Sequence, residues 1–82
     1  MISITGTDGF QREFRILGQR IAYYRKLQGL SQEKFSKDVG ISKSYLSKIE
    51  RGDIQGISFV TVMEIARSLD AKVTKLLDFD EA

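Results

Sequence analysis

The chain has 82 residues, 41% hydrophobic and 29% charged, which is the composition of one globular domain with no room for a second and not that of a disordered tail. It contains no cysteine and no histidine, which excludes disulfides, thiolate metal sites and the commonest nucleophile and general-base systems of enzymes. The net charge of +2 is unevenly placed: residues 10–52 carry a net +6, residues 53–82 a net −3 and Asp8 the remaining −1, a basic front and acidic back that suit a protein presenting one face to a phosphate backbone.

Residues 1–9 hold Gly6, Gly9 and small hydroxylated side chains without a helical period, and they are expected to form a flexible N-terminal arm. Minor-groove arms rely on Arg or Lys, and this one offers only Asp8, so no DNA contact is expected of it. Nor does it have the basic start and apolar centre of a signal peptide. No apolar run approaches the roughly 18 residues that span a bilayer, so a cytoplasmic location is the expectation.

From Phe10 the pattern changes. Phe10, Phe14, Leu17, Ile21 and Tyr24 recur every three or four residues, which predicts an amphipathic first helix running to about Gln28 and stopped by Gly29. Ser31 is placed to cap a second helix ending near Val39, with Phe35 and Val39 on its apolar side. Gly40 supplies the left-handed backbone that ends it, Ile41 can tuck under the turn, and Ser42 can cap a third helix that ends before Gly52. Tyr45, Leu46 and Ile49 are its inward face. Two short helices joined by such a turn make a helix-turn-helix.

Beyond a loop, Ser58 caps a fourth predicted helix carrying Val62, Ile65, Ala66 and Leu69 to about Asp70. A short fifth helix, capped by Thr74, presents Leu76, Leu77 and Phe79 before the acidic Asp78, Asp80 and Glu81. The predicted fold is all-α: residues 10–82 form a single helix-turn-helix domain, a compact bundle of five short helices.

Three segments carry a family resemblance: Leu30-Ser31-Gln32-Glu33, Gly40-Ile41-Ser42 and Leu46-Ser47-Lys48-Ile49-Glu50-Arg51-Gly52. As a joint pattern, extending from about Leu17 to Leu77, they resemble the lambda-repressor-like helix-turn-helix DNA-binding domains, also called the Xre or Cro/C1 family. Two departures stand out. The loop Asp53–Ser58 is about one residue longer than usual and lacks the proline often found before its serine, and Ser36 stands where the family usually has alanine.

An α-helix fits the major groove of B-form DNA, where every base pair shows its own donors, acceptors and methyl groups. With Tyr45, Leu46 and Ile49 turned inward, the third helix presents Lys43, Ser44, Ser47 and Lys48 on its opposite side, and the resemblance implies that these approach bases. It further implies that Gln32 clamps the DNA backbone, with Ser42 and Arg51 completing a phosphate-facing set. Arg25 and Glu50 match a structural ion pair between the first helix and the end of the third, a scaffold role. The three tyrosines, Tyr23, Tyr24 and Tyr45, could stack on single-stranded bases, but tyrosine at helical spacing is more often core.

The reading is therefore a sequence-specific double-stranded DNA-binding transcriptional regulator, a repressor when its operator overlaps a promoter, with no cofactor, metal or catalytic residue. One helix reads too few base pairs alone. A homodimer on a pseudo-palindromic operator is expected, with Val73, Leu76, Leu77 and Phe79 at its interface. A restriction-modification controller is a specific form of this reading. The alternative is a protein-interaction module, above all the antitoxin of a toxin-antitoxin pair, whose acidic half after Gly52 would cover a basic partner.

Overall fold

The computed structural model describes residues 9–80, so the expected arm, apart from Gly9, and the acidic Glu81 lie outside the described residues. Five helices follow in order: α1 (Gln11–Leu27), α2 (Gln32–Val39), α3 (Lys43–Arg51), α4 (Phe59–Ser68) and α5 (Val73–Leu76). The described residues contain no strand.

Local chemistry explains most boundaries. Ser31, Ser42 and Ser58 each accept a hydrogen bond from the backbone N–H three residues on, at 3.0 Å, so α2, α3 and α4 all begin with a side-chain cap. Between α2 and α3 the chain reverses at Gly40, whose φ of 90° lies in the left-handed region that side chains with a Cβ adopt only at a cost. Its N–H and that of Ile41 both bond Ser36 O, closing the turn. Two boundaries differ from expectation. Phe10 precedes the helix as its uncapped N-cap and is 68% exposed. Thr74 lies inside α5; Lys72 is its N-cap and makes no side-chain capping bond.

The core is built around Ile21, Phe35, Leu46, Ile49, Ile65, Leu69 and Leu76, all essentially inaccessible. Leu76 was expected at a dimer interface. It is instead 0% exposed within the monomer, because α5 folds back on α4 and α1 and turns this side chain inward, so it has no surface left for a partner. Ser36 is also buried, but its hydroxyl donates to Glu33 O at 2.9 Å, which removes the penalty of placing serine where an alanine would pack.

Helix α1 packs directly on α3. A Cβ at Gly18 would lie 2.2 Å from Ile49 O and 2.7 Å from Glu50 O, distances that no real Cβ tolerates. Glycine in a helix interior costs about 1 kcal/mol relative to alanine, and here it permits backbone-to-backbone approach at the centre of the bundle. Along its length α1, with its C-cap Gln28, also holds the end of α4 and the C-terminal segment by polar contacts. Arg12 donates to Phe79 O, Arg20 to Lys75 O and Asp78 O, and Gln28 to Leu69 O, supplying donors to carbonyls that the short final turns leave without helical partners. Among the described residues, no helix is long and apolar enough to cross a membrane.

Candidate nucleic-acid interface

α2 and α3 are short and capped, and both are pinned from beneath by one buried network. Arg25 of α1 grips Glu50 of α3 with two parallel bonds, Nε to Oε2 at 2.7 Å and Nη2 to Oε1 at 2.9 Å. Its third nitrogen, Nη1, donates to Leu30 O at 2.7 Å, just before α2. The two side chains are only 9% and 6% exposed, so this is a desolvated bidentate pair rather than a surface ion pair. Among the described residues no buried side-chain nitrogen or oxygen lacks a partner, so the network is fully satisfied.

A third member was not expected. Gln32, at the start of α2, donates its amide Nε2 to Glu50 Oε1 at 2.9 Å and is half-buried. The sequence offered one signal for it, the placement of a polar residue at a helix start one turn before the buried Phe35, but the partner lies 18 residues away and local patterns do not register such a contact. Gly18 was missed in the same way. Its signal was a glycine inside an otherwise regular helical period.

Above this network stands the outer face of α3. Lys43, Ser44 and Lys48 are exposed, Ser47 is half-buried, and Leu46 and Ile49 point into the core, so the helix divides its two faces as expected. Ion pairing sharpens the contrast with α2. There Lys34 reaches Asp38 at 3.0 Å and Lys37 reaches Glu33 at 4.0 Å. Among the described residues no carboxylate pairs with Lys43 or Lys48, whose ammonium groups are left to meet another source of negative charge.

Arg51 is more constrained than the sequence suggested. Its Nη1 donates to Ser47 Oγ at 2.5 Å, one turn back, and its Nη2 lies 3.8 Å from Asp53. Ser47 accepts that bond and keeps its own O–H to donate outward. Ser42 is in the same position: its oxygen caps α3 and its proton is free. Lys43, Ser44, Ser47 and Lys48 are therefore brought together on one helix face with Ser42 at its N-terminus, Gln32 stands at the start of α2, and Arg51 sits at the far end of α3.

The described surface also has an apolar feature away from α3. A groove of about 440 Å³ runs between the start of α1, the beginning of α4 and the C-terminal segment, walled by Phe10, Phe14, Phe59, Leu77 and Phe79. Val60 and Met63 on α4 are exposed at 63% and 43%. Of the residues expected at an interface, Val73, Leu77 and Phe79 are half-buried against the core.

Comparison with known proteins places this arrangement. A family model described as helix-turn-helix matches residues 21–76. The transcriptional regulators SinR and SlrR of Bacillus subtilis are 40% and 38% identical to the chain over 63 residues, 77% of its length. The match spans 57% of SinR and 41% of SlrR, so the chain corresponds to about half of these relatives. Among solved structures, SinR in complex with DNA superimposes with a TM-score of 0.72 at 40% identity, covering 76% of this chain and 98% of that one. The restriction-modification controller protein C.AhdI from Aeromonas hydrophila does so with a TM-score of 0.73 at 33% identity, covering 78% and 96%. The chain thus belongs to the lambda-repressor-like, or Xre, helix-turn-helix family, whose matched relatives are transcriptional regulators.

Proposed function

We propose that this protein is a sequence-specific double-stranded DNA-binding regulator of transcription that inserts α3 into the major groove. The observation that carries the reading is the pair of unpartnered lysines, Lys43 and Lys48, on the exposed face of a helix whose other face and both ends are fixed. Lys43, Ser44, Ser47 and Lys48 contact base edges, while Gln32, Ser42 and Arg51 donate to phosphates on either side. SinR, similar over most of this chain, has been solved with DNA, which supports the same mode here. The protein represses by occupying an operator that overlaps a promoter, and it is a binding protein rather than an enzyme.

It acts as a homodimer on a pseudo-palindromic site, with two copies of α3 about 34 Å apart on successive major grooves. The interface is built on Val73, Leu77 and Phe79 together with the exposed Phe10, Phe59, Val60 and Met63, since Leu76 is consumed by the monomer core. Selecting bound sequences from a random duplex library, then measuring the salt dependence on the winner, tests the reading. A palindromic consensus with a steep salt slope is expected. Recovery of no consensus contradicts it.

A second reading has one specific observation in its favour. The apolar groove suits a protein partner as well as a second copy, and SinR has also been solved in complex with a protein, SinI. An antitoxin or other partner-bound module would then use this groove. Sedimentation separates the two: a dimer of the isolated chain supports the first, and a monomer both free and on DNA supports the second.

A further inference from the structure

We infer that Glu50 is a positioning residue for DNA, acting through Gln32; this rests on the DNA-binding reading above. The geometry is specific. Both oxygens of Glu50 are occupied, Oε2 by Arg25 Nε and Oε1 by Arg25 Nη2 and Gln32 Nε2, at 2.7, 2.9 and 2.9 Å. A carboxylate only accepts, so the Gln32 amide must turn its nitrogen toward Glu50 and its oxygen away. That choice decides what Gln32 can offer outward. One Nε2 hydrogen is committed to Glu50, and the second remains as a donor beside the N-terminus of α2, where a phosphate oxygen needs one. The opposite flip would set the amide oxygen against the Glu50 carboxylate, and the two acceptors would repel.

The same carboxylate sits at the end of α3 and is held by α1. It therefore ties three helices at one point: the helix that reads bases, the helix whose first side chain meets the backbone, and the helix beneath both. A flexible glutamine at the edge of a helix would lose rotamer freedom on binding. Here that freedom is already removed in the free protein, which leaves the full strength of the phosphate contact available for binding.

Glu50→Gln tests this, because it keeps the shape but puts an amide nitrogen where Arg25 or Gln32 needs an acceptor. It is combined with Gln32→Ala in a double-mutant cycle, with affinity measured for operator and scrambled duplex below the melting temperature of every variant. Glu50→Gln is expected to weaken both duplexes by a similar factor, roughly 3- to 10-fold, and to do nothing further once Gln32 is alanine. In NMR spectra of the free protein, the two side-chain amide protons of Gln32 are expected to be separated and protected in the wild type and to collapse toward free-amide positions in Glu50→Gln. Should that variant unfold, Glu50→Asp serves the same cycle, since it keeps a charge for Arg25 and shortens the reach to Gln32. An equal loss of affinity in the Gln32→Ala background, or Gln32 amide signals indifferent to residue 50, overturns the proposal. Wild-type protein that binds neither duplex overturns the DNA reading instead, while the amide signals still report the positioning.

Discussion

The junction of α1 with α2 and α3 and the C-terminal edge of the molecule solve the same problem in opposite ways. At the junction, polar groups are buried and matched: Arg25, Glu50, Gln32 and Leu30 O satisfy one another in a desolvated site, and Gly18 lets the backbones touch. At the edge, α5 has four residues, is uncapped, and is held to α1 by exposed arginine-to-carbonyl bonds while phenylalanines stand half-covered around a groove. The first arrangement gives one geometry, which the proposed reading of base edges by α3 requires. The second leaves apolar surface uncovered, which is what an association surface requires. A matched polar junction and an open apolar groove thus occupy different faces of one 82-residue chain, with α1 contributing to both.

The largest effect is expected at the junction. Arg25→Ala strands Glu50 in a site where its side chain is 6% exposed, and should cost about 3–5 kcal/mol. Thermal melts that find Arg25→Ala as stable as wild type would mean that the pair is not desolvated in solution. At the edge, Leu76 and Leu77 make a paired test. Leu76→Ala should cost about 2–5 kcal/mol because the side chain is fully buried, and Leu77→Ala less, because it is already half-exposed at the groove. Equal losses in urea unfolding would place both in the core and remove Leu77 from any interface.

Gly18→Ala probes the backbone contact alone. Forcing a Cβ against Ile49 O should cost about 1–3 kcal/mol, against a gain in helix propensity of about 1 kcal/mol. A variant more stable than wild type would show that α1 and α3 do not approach this closely. The smallest stability effect is expected on the exposed ridge of α4. Val60→Ser and Met63→Ser should change monomer stability by less than about 0.5 kcal/mol yet shift sedimentation toward monomer. If the ridge substitutions leave self-association unchanged, the groove and ridge are not where two copies meet.

What could be read from sequence follows the same division. Serine caps at Ser31, Ser42 and Ser58 and the glycine stop at Gly40 are local signals, because each acts on backbone within a few residues, and α2, α3 and α4 begin where those signals put them. Leu76 was misplaced for a physical reason: a helical apolar period looks the same whether its face meets the monomer's core or a second copy. Thr74 was a plausible cap by residue type, but the chain enters α5 two residues earlier. Gln32 and Gly18 depend on contacts with Glu50 and Ile49, which the chain brings near only once folded. Of the candidate site, the outer face of α3 was legible from its period alone; the support beneath it was only half legible, through the resemblance that pairs Arg25 with Glu50.

Whether α3 reads bases is decided by comparing two duplexes across a set of variants. Affinity for the selected operator and for a scrambled duplex is determined at several salt concentrations for wild type, Lys43→Ala, Ser44→Ala, Lys48→Ala and Gln32→Ala. Each good base contact contributes roughly 1–3 kcal/mol of discrimination, so the three α3 substitutions should shrink the operator-to-scrambled ratio. Gln32→Ala should weaken both duplexes alike and leave the salt slope nearly unchanged, because the side chain is neutral, whereas a lysine that meets only phosphate would lower that slope by about 0.9. Preservation of the operator-to-scrambled ratio in all three α3 variants would contradict the account.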